Sequence, residues 1–190
     1  MGAGKAHNRV MSDISDRYFR LAHEFSTQVN AVAPQAWQSP SPCAGWTARD
    51  VLEHVVQTQH NLAAYVDRDL TASRTGDLVK DWALASEAMH ALLEDPATAA
   101  REFTGLVGPT TLEDAASVFA CFDLIIHRWD IARATGGDEH IDVEDVRWVQ
   151  RQANNLGDAI RSPGGFAAAI DPPPGADEQA RLLAFLGRVP

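Results

Sequence analysis

Asp123 and His127 stand four residues apart in a stretch whose apolar residues recur with helical period, so their side chains share one face, one turn apart. A carboxylate and an imidazole in that relation are what one helix can offer to a single divalent cation, and they are equally the two halves of a local ion pair. On a projection of ~100° per residue, Phe119, Phe122, Ile125, Ile126 and Trp129 fill an apolar arc and the Asp123/His127 pair lies on its flank. In a second helical pattern Val51, Val55, Leu62 and Val66 mark the buried side. His54 falls at its margin, whereas His60 falls opposite Val51 and is expected in water. Taken singly, His54 reads as well as a hydrogen-bonded histidine at a core edge, and periodicity does not join it to the other two. Two imidazoles and one carboxylate would form a borderline donor set suited to Zn²⁺, Ni²⁺ or Fe²⁺, with a fourth position left for water or substrate.

Other reactive side chains carry two readings each. Cys43, near a helix start, is either a thiol whose thiolate the helix dipole favours or a small filler in a Pro/Gly turn. Trp46 and Trp129 line a pocket or pack in the core. Asp130 and Arg133, three apart, orient a metal-bound histidine, bind an anion, or form a surface ion pair. His90 lies on the apolar flank of its own helix, within reach of the site, while His7, His23 and His140 read as exposed or terminal.

The elements that must position these residues are helices. Ile14, Tyr18, Leu21, Phe25, Val29 and Val32 trace a first helix that stops before Pro34. A proline-rich connector, Ser39-Pro40-Ser41-Pro42-Cys43-Ala44-Gly45-Trp46, is not helical, because each proline biases its predecessor to extended geometry. Thr47 and Asp50 then form a capping box that starts a helix to about residue 66. Trp82, Ala85, Met89 and Leu93 mark a short third helix over 79–93, ended by Pro96. Thr111 and Asp114 offer another box, opening a helix that runs to Thr135 and stops at Gly136-Gly137. A fifth helix is expected over 143–161, followed by Gly/Pro punctuation and a terminal helix over 178–186. No segment alternates with a two-residue period, so no sheet is expected. The fold class is all-α: a four-helix bundle with additional C-terminal helices.

With 190 residues, the chain matches one domain, read as a flexible leader over 1–10 and a single helical domain over 11–190. The net charge of −10 and the lack of a basic stripe argue against nucleic acid or anionic membrane as partner. Cys43 and Cys121 fit no secreted disulfide framework, no apolar run approaches the ~18 residues of a membrane span, and the polar N-terminus lacks the core of a signal peptide. The expected compartment is the cytoplasm.

Two segments carry a resemblance that spans nearly the whole chain when the ending 181–188 is included. Pro42 to His54 resembles the "PCxGWTxxDxxxH" opening of the mycothiol-dependent maleylpyruvate isomerase-like family, in the DinB-like superfamily, and His127 to Gly136 resembles its "HxWDxARATG" signature. Two such motifs in the right order, about 70 residues apart, are far more specific than either alone. The resemblance implies a bundle in which a histidine of the second helix joins a carboxylate and a histidine of the fourth around a divalent metal: here His54, Asp123 and His127. It implies mycothiol as cosubstrate, with a small-molecule thiol and an electrophilic small substrate as partners, in an S-transfer or isomerisation whose general base no residue identifies. Two departures stand out: the family's isomerases carry a further C-terminal domain, and their carboxylate is a Glu where this chain has the shorter Asp123. The competing expectation is a non-catalytic, metal-binding or stress-related bundle, forming a homodimer through an exposed apolar helix face.

Overall fold

The computed structural model describes residues 13–105, 108–161 and 165–190. The expected leader, 1–10, lies outside the described residues. The chain runs through α1 (Asp13–Ala31), α2 (Ala48–Tyr65), α3 (Leu78–Glu94), a one-turn α4 (Pro96–Ala99), strands β1 (Glu102–Gly105) and β2 (Gly108–Thr111), α5 (Leu112–Ala115), a π-helical stretch (Ala116–Cys121), α6 (Phe122–Thr135), α7 (Val143–Leu156) and α8 (Glu178–Phe185). Both α1 and α2 pack on α3 and α6, so the bundle order is α1, α3, α2, α6, with α7 added beside α6 and α8 packed on α7. This is the all-α, DinB-like bundle with extra C-terminal helices.

Local chemistry fixes most boundaries. Thr47 and Asp50 form the full capping box at α2: the Asp50 carboxylate accepts from the Thr47 amide at 2.8 Å, and the Thr47 hydroxyl accepts from the Asp50 amide at 3.3 Å. At α5 only half the second box forms, because the Thr111 hydroxyl caps the Asp114 amide while the Asp114 carboxylate meets that same hydroxyl. The Asp77 carboxylate caps α3, which buries Trp82, Ala85, Met89 and Leu93 on the expected stripe. Gly136, at φ 76°, ends α6 in the left-handed conformation that glycine adopts without steric cost.

Four expectations need correction. A sheet does exist, a two-stranded antiparallel hairpin pairing Glu102 with Thr111 and Gly105 with Gly108; its strands are too short to alternate visibly. The third helix is not short, since Leu78 and Glu94 extend it at both ends to 17 residues. The fifth helix stops at Leu156, where Gly157 at φ 53° breaks it, and a 3₁₀ turn carries the chain to Arg161. His60 is not in open water: the turn Thr71–Ser73 folds over it, and its Nε2 lies 3.1 Å from the Ser73 hydroxyl.

The diagonal pair α1 and α2 is tied through the core. Tyr18, fully buried, donates its hydroxyl to Gln59 Oε1 at 2.9 Å, and the Gln59 amide donates to the Val55 carbonyl at 3.1 Å. Two polar side chains thus enter the core with their hydrogen bonds made. Tyr18→Phe removes one hydroxyl and leaves the Gln59 carbonyl oxygen buried without its donor, a loss of about 1–3 kcal/mol. Urea unfolding reads this as a lower midpoint at unchanged slope; an unchanged midpoint would mean the amide finds another partner.

Candidate functional site

The three sequence-predicted residues converge. His54 on α2 and Asp123 and His127 on α6 each bring a ligand atom to one place, all within 4.8 Å of one another. His54 Nε2 lies 3.2 Å from Asp123 Oδ2, and His127 Nε2 lies 3.8 Å from Asp123 Oδ1. The two imidazole rings sit edge to face with centroids 5.0 Å apart. Helical spacing supplies half of this arrangement, and the close packing of α2 on α6 supplies the other half. The shorter carboxylate therefore still reaches both rings.

The π-helical stretch ends directly before α6, two residues ahead of Asp123. A π turn inserts a residue into the helical register, and such turns recur at functional sites. It shifts the phase of everything upstream, which is why Phe119, expected in the core arc, is only half buried and lines a cleft instead.

Beyond these three residues lies support that sequence reasoning read only in part. The wholly buried Asp130 has its Oδ2 2.9 Å from His127 Nδ1, which fixes the ring so that Nε2 faces Asp123. Asp130 is thus an orienting partner of His127 and not half of a surface pair with Arg133, whose guanidinium goes to Glu139 at 2.8 Å. Asp130 also receives both edges of the Arg188 guanidinium, at 3.3 Å from Nε and 3.0 Å from Nη2. Arg188 further donates to the Leu186 carbonyl and the Cys43 sulfur, and it lies over the Phe166 ring at 4.6 Å. It reaches this position because Gly187 turns the chain at φ 77°, where an added Cβ would stand 2.7 Å from the Ala168 carbonyl oxygen. Arg188 had no periodic signal to betray it. Thr58, one turn after His54, was findable by spacing: its hydroxyl donates to Asp123 Oδ2 at 3.1 Å.

Electrostatics follow from these contacts. Burial opposes ionisation of Asp123, yet the His54 hydrogen bond and the two neighbouring imidazoles outweigh it and hold the carboxyl below its ordinary value. Burial likewise opposes protonation of His54, but Asp123 prevails and raises it. Asp130 also stays below the usual range against its burial, through His127 and Arg188. Cys43 is not an activated thiol: burial, with Asp130 beside it, pushes it up to about 12, and its Sγ lies 3.3 Å from Asp130 Oδ2.

The remaining residues divide. Trp129 is core. Trp46 is partly exposed, with its ring 5.3 Å from that of His54, so it belongs to the site's edge. His90 instead packs on Phe19 of α1, at 4.7 Å between centroids. His23 and His140 are exposed, and His7 lies outside the described residues.

The donor set fits a divalent ion. Tetrahedral zinc with ligand bonds of ~2.0–2.1 Å spaces its donors ~3.3 Å apart, close to the 3.2 Å and 3.8 Å found here. Cys43, His127 and Asp130 also cluster within 4.8 Å, but the Arg188 guanidinium already occupies both Cys43 and Asp130 and would repel a second cation. His54 and Asp123 open onto a cleft of about 560 Å³ bounded by α2, the hairpin, α5, the π stretch and the segment after α7.

Fold and site together define a class: a DinB-like helical bundle with a candidate divalent-metal centre between two of its helices. Residues 18–132 match the mycothiol maleylpyruvate isomerase N-terminal domain, and the chain belongs to that family. It is similar to uncharacterised proteins of Mycobacterium tuberculosis, strains CDC 1551 and H37Rv, each 30% identical over 175 residues, covering 89% of this chain and 94% of the relative. No solved structure matches it. Among the described residues no helix is long and apolar enough to cross a membrane.

Arg188→Met strips the buried Asp130 of its cation and is expected to cost about 3–5 kcal/mol at neutral pH. Because the folded carboxyl is depressed, its contribution is present above the unfolded value of about 3.9 and is lost as pH falls through the lower folded value. The gap between variant and wild type, measured by urea unfolding at pH 7 and pH 3, therefore narrows in acid; equal stability at pH 7 would show that the pair contributes nothing.

Proposed function

We propose that this protein is a divalent-metal-dependent enzyme of thiol chemistry, using a low-molecular-weight thiol, mycothiol by kinship with its family, against a small electrophile. The observation that carries this reading is the convergence of His54, Asp123 and His127 beside a cleft onto which His54 and Asp123 open. His54, Asp123 and His127 would hold the ion, with Zn²⁺ best matched to the donor set and Ni²⁺ or Fe²⁺ as alternatives. When bound, a divalent ion supplies Lewis-acid activation that favours the thiolate at neutral pH.

The chain's own residues do the rest. Asp130 retains the proton on His127 Nδ1 and so presents Nε2. Thr58 donates to Asp123 and fixes the carboxylate's rotamer. Trp46 covers the outer side of His54, and the apolar cleft walls exclude water from the reacting thiol. S-transfer and thiol-assisted isomerisation both suit this arrangement.

Elemental analysis of the purified protein should find one metal ion per chain, and His127→Ala should lose it together with thiol consumption in the presence of mycothiol and an electrophile. A metal-free protein, in which His54→Ala alters neither stability nor thiol turnover, would instead be a non-catalytic bundle. Asp130→Asn should weaken metal binding 10–100-fold, read by competition with a chromophoric chelator.

Metal binding must also displace the proton that Asp123 favours on His54. Affinity should therefore fall about tenfold per pH unit below the raised His54 value, beginning above the ordinary ~6.5. The same chelator titration between pH 6 and pH 8 checks it; a flat profile removes His54 from the ligand set.

A further inference from the structure

The cleft beside the candidate centre has a chemical bias of its own. Its walls are mainly aromatic and aliphatic: Phe103 and Tyr65, stacked at 4.6 Å, line it with Phe119, Phe122, Phe166 and Ile160, beside the polar Thr58, Asn61 and Thr110. No lysine or arginine lines it among the described residues; its charged or titratable members are His54, Tyr65, Asp114 and Asp123. Two arginines that neighbour lining residues are already engaged. Arg188 is held by Asp130 over the ring of Phe166, and Arg161 donates to the Ala167 and Phe185 carbonyls while lying over the Phe185 ring.

We propose that this cleft selects an uncharged, flat, apolar molecule of one to two fused rings as the electrophile and rejects carboxylate- or sulfonate-bearing ones. This rests on the reading above only in assigning the ligand the role of electrophile; the selectivity itself follows from the walls. A volume of about 560 Å³ is within the range that encloses a small organic ligand. Away from the candidate metal position, an anion would lose its hydration with no cationic side chain among the described lining residues to replace it, and it would face the Asp114 carboxylate. An aromatic body instead finds stacking partners on both sides.

A matched pair of fluorescent probes isolates the charge: N-phenyl-1-naphthylamine is neutral, and 1-anilinonaphthalene-8-sulfonate is nearly the same body with one sulfonate. Titrated into the full-length protein, with and without one equivalent of Zn²⁺, the neutral probe should bind one per chain at least tenfold more tightly than the anionic one. Phe103→Ala, or Phe119→Ala should the first variant lose its helical circular dichroism, should weaken the neutral probe at least fivefold. Asn61→Lys, an exposed change on the cleft rim, should tighten the sulfonate probe severalfold. Equal or stronger binding of the anion, or neutral-probe binding indifferent to both phenylalanine variants, overturns the proposal. Thiol turnover that fails while the probe selectivity holds overturns the enzymatic reading and leaves the cleft's preference standing.

Discussion

A carboxylate with no exposed surface has to be neutralised inside the protein, because its desolvation is far larger than any single contact can repay. Asp130 is that carboxylate. His127 meets it from one turn earlier on the same helix, and Arg188 meets it from the far end of the chain. The arrangement of the candidate centre follows from this requirement: the histidine ring is pinned with one nitrogen inward, so its other nitrogen has a single direction in which to point. The C-terminal helices are consequently more than an addition to the bundle, since they deliver the guanidinium that makes the buried charge tolerable.

The parts of this molecule visible in its sequence are those set by local rules. The Thr47/Asp50 box, the Trp82–Ala85–Met89–Leu93 stripe and the glycine stop after Thr135 each depend on a few neighbouring residues, and each stands where the pattern put it. The pairing of Asp123 with His127 was equally local, whereas its union with His54 needed the resemblance. Periodicity failed where geometry departs from a uniform helix or where the partner is remote. The π stretch defeats a constant 100° step, so Phe119 was misplaced. His60 was sent to solvent because a one-turn element over it left no periodic trace. Asp130 was offered Arg133, its neighbour in sequence, when its cation lies 58 residues away.

The cleft shows the same division on a larger scale. Its floor belongs to the bundle and is as rigid as the packing of α2 on α6. Part of its wall comes from the hairpin and from the irregular chain after α7, segments of the kind that vary most freely between relatives, and other parts come from α2, α5, the π stretch and α6. A bundle built this way can keep its His54, Asp123 and His127 cluster while the hairpin and the chain after α7 change what stands beside it, because those two segments carry none of the three residues.

The extra residue in the π stretch also sets a limit on how the gene can drift. Excising any one position between 116 and 121 would rewind that segment to ordinary α geometry and turn everything before it by roughly 100° relative to α6. Asp123 and His127 would keep their spacing, yet the cleft wall contributed by α5 and Phe119 would swing away from them. A single codon lost there would leave an intact-looking signature on a helix that no longer faces its cleft.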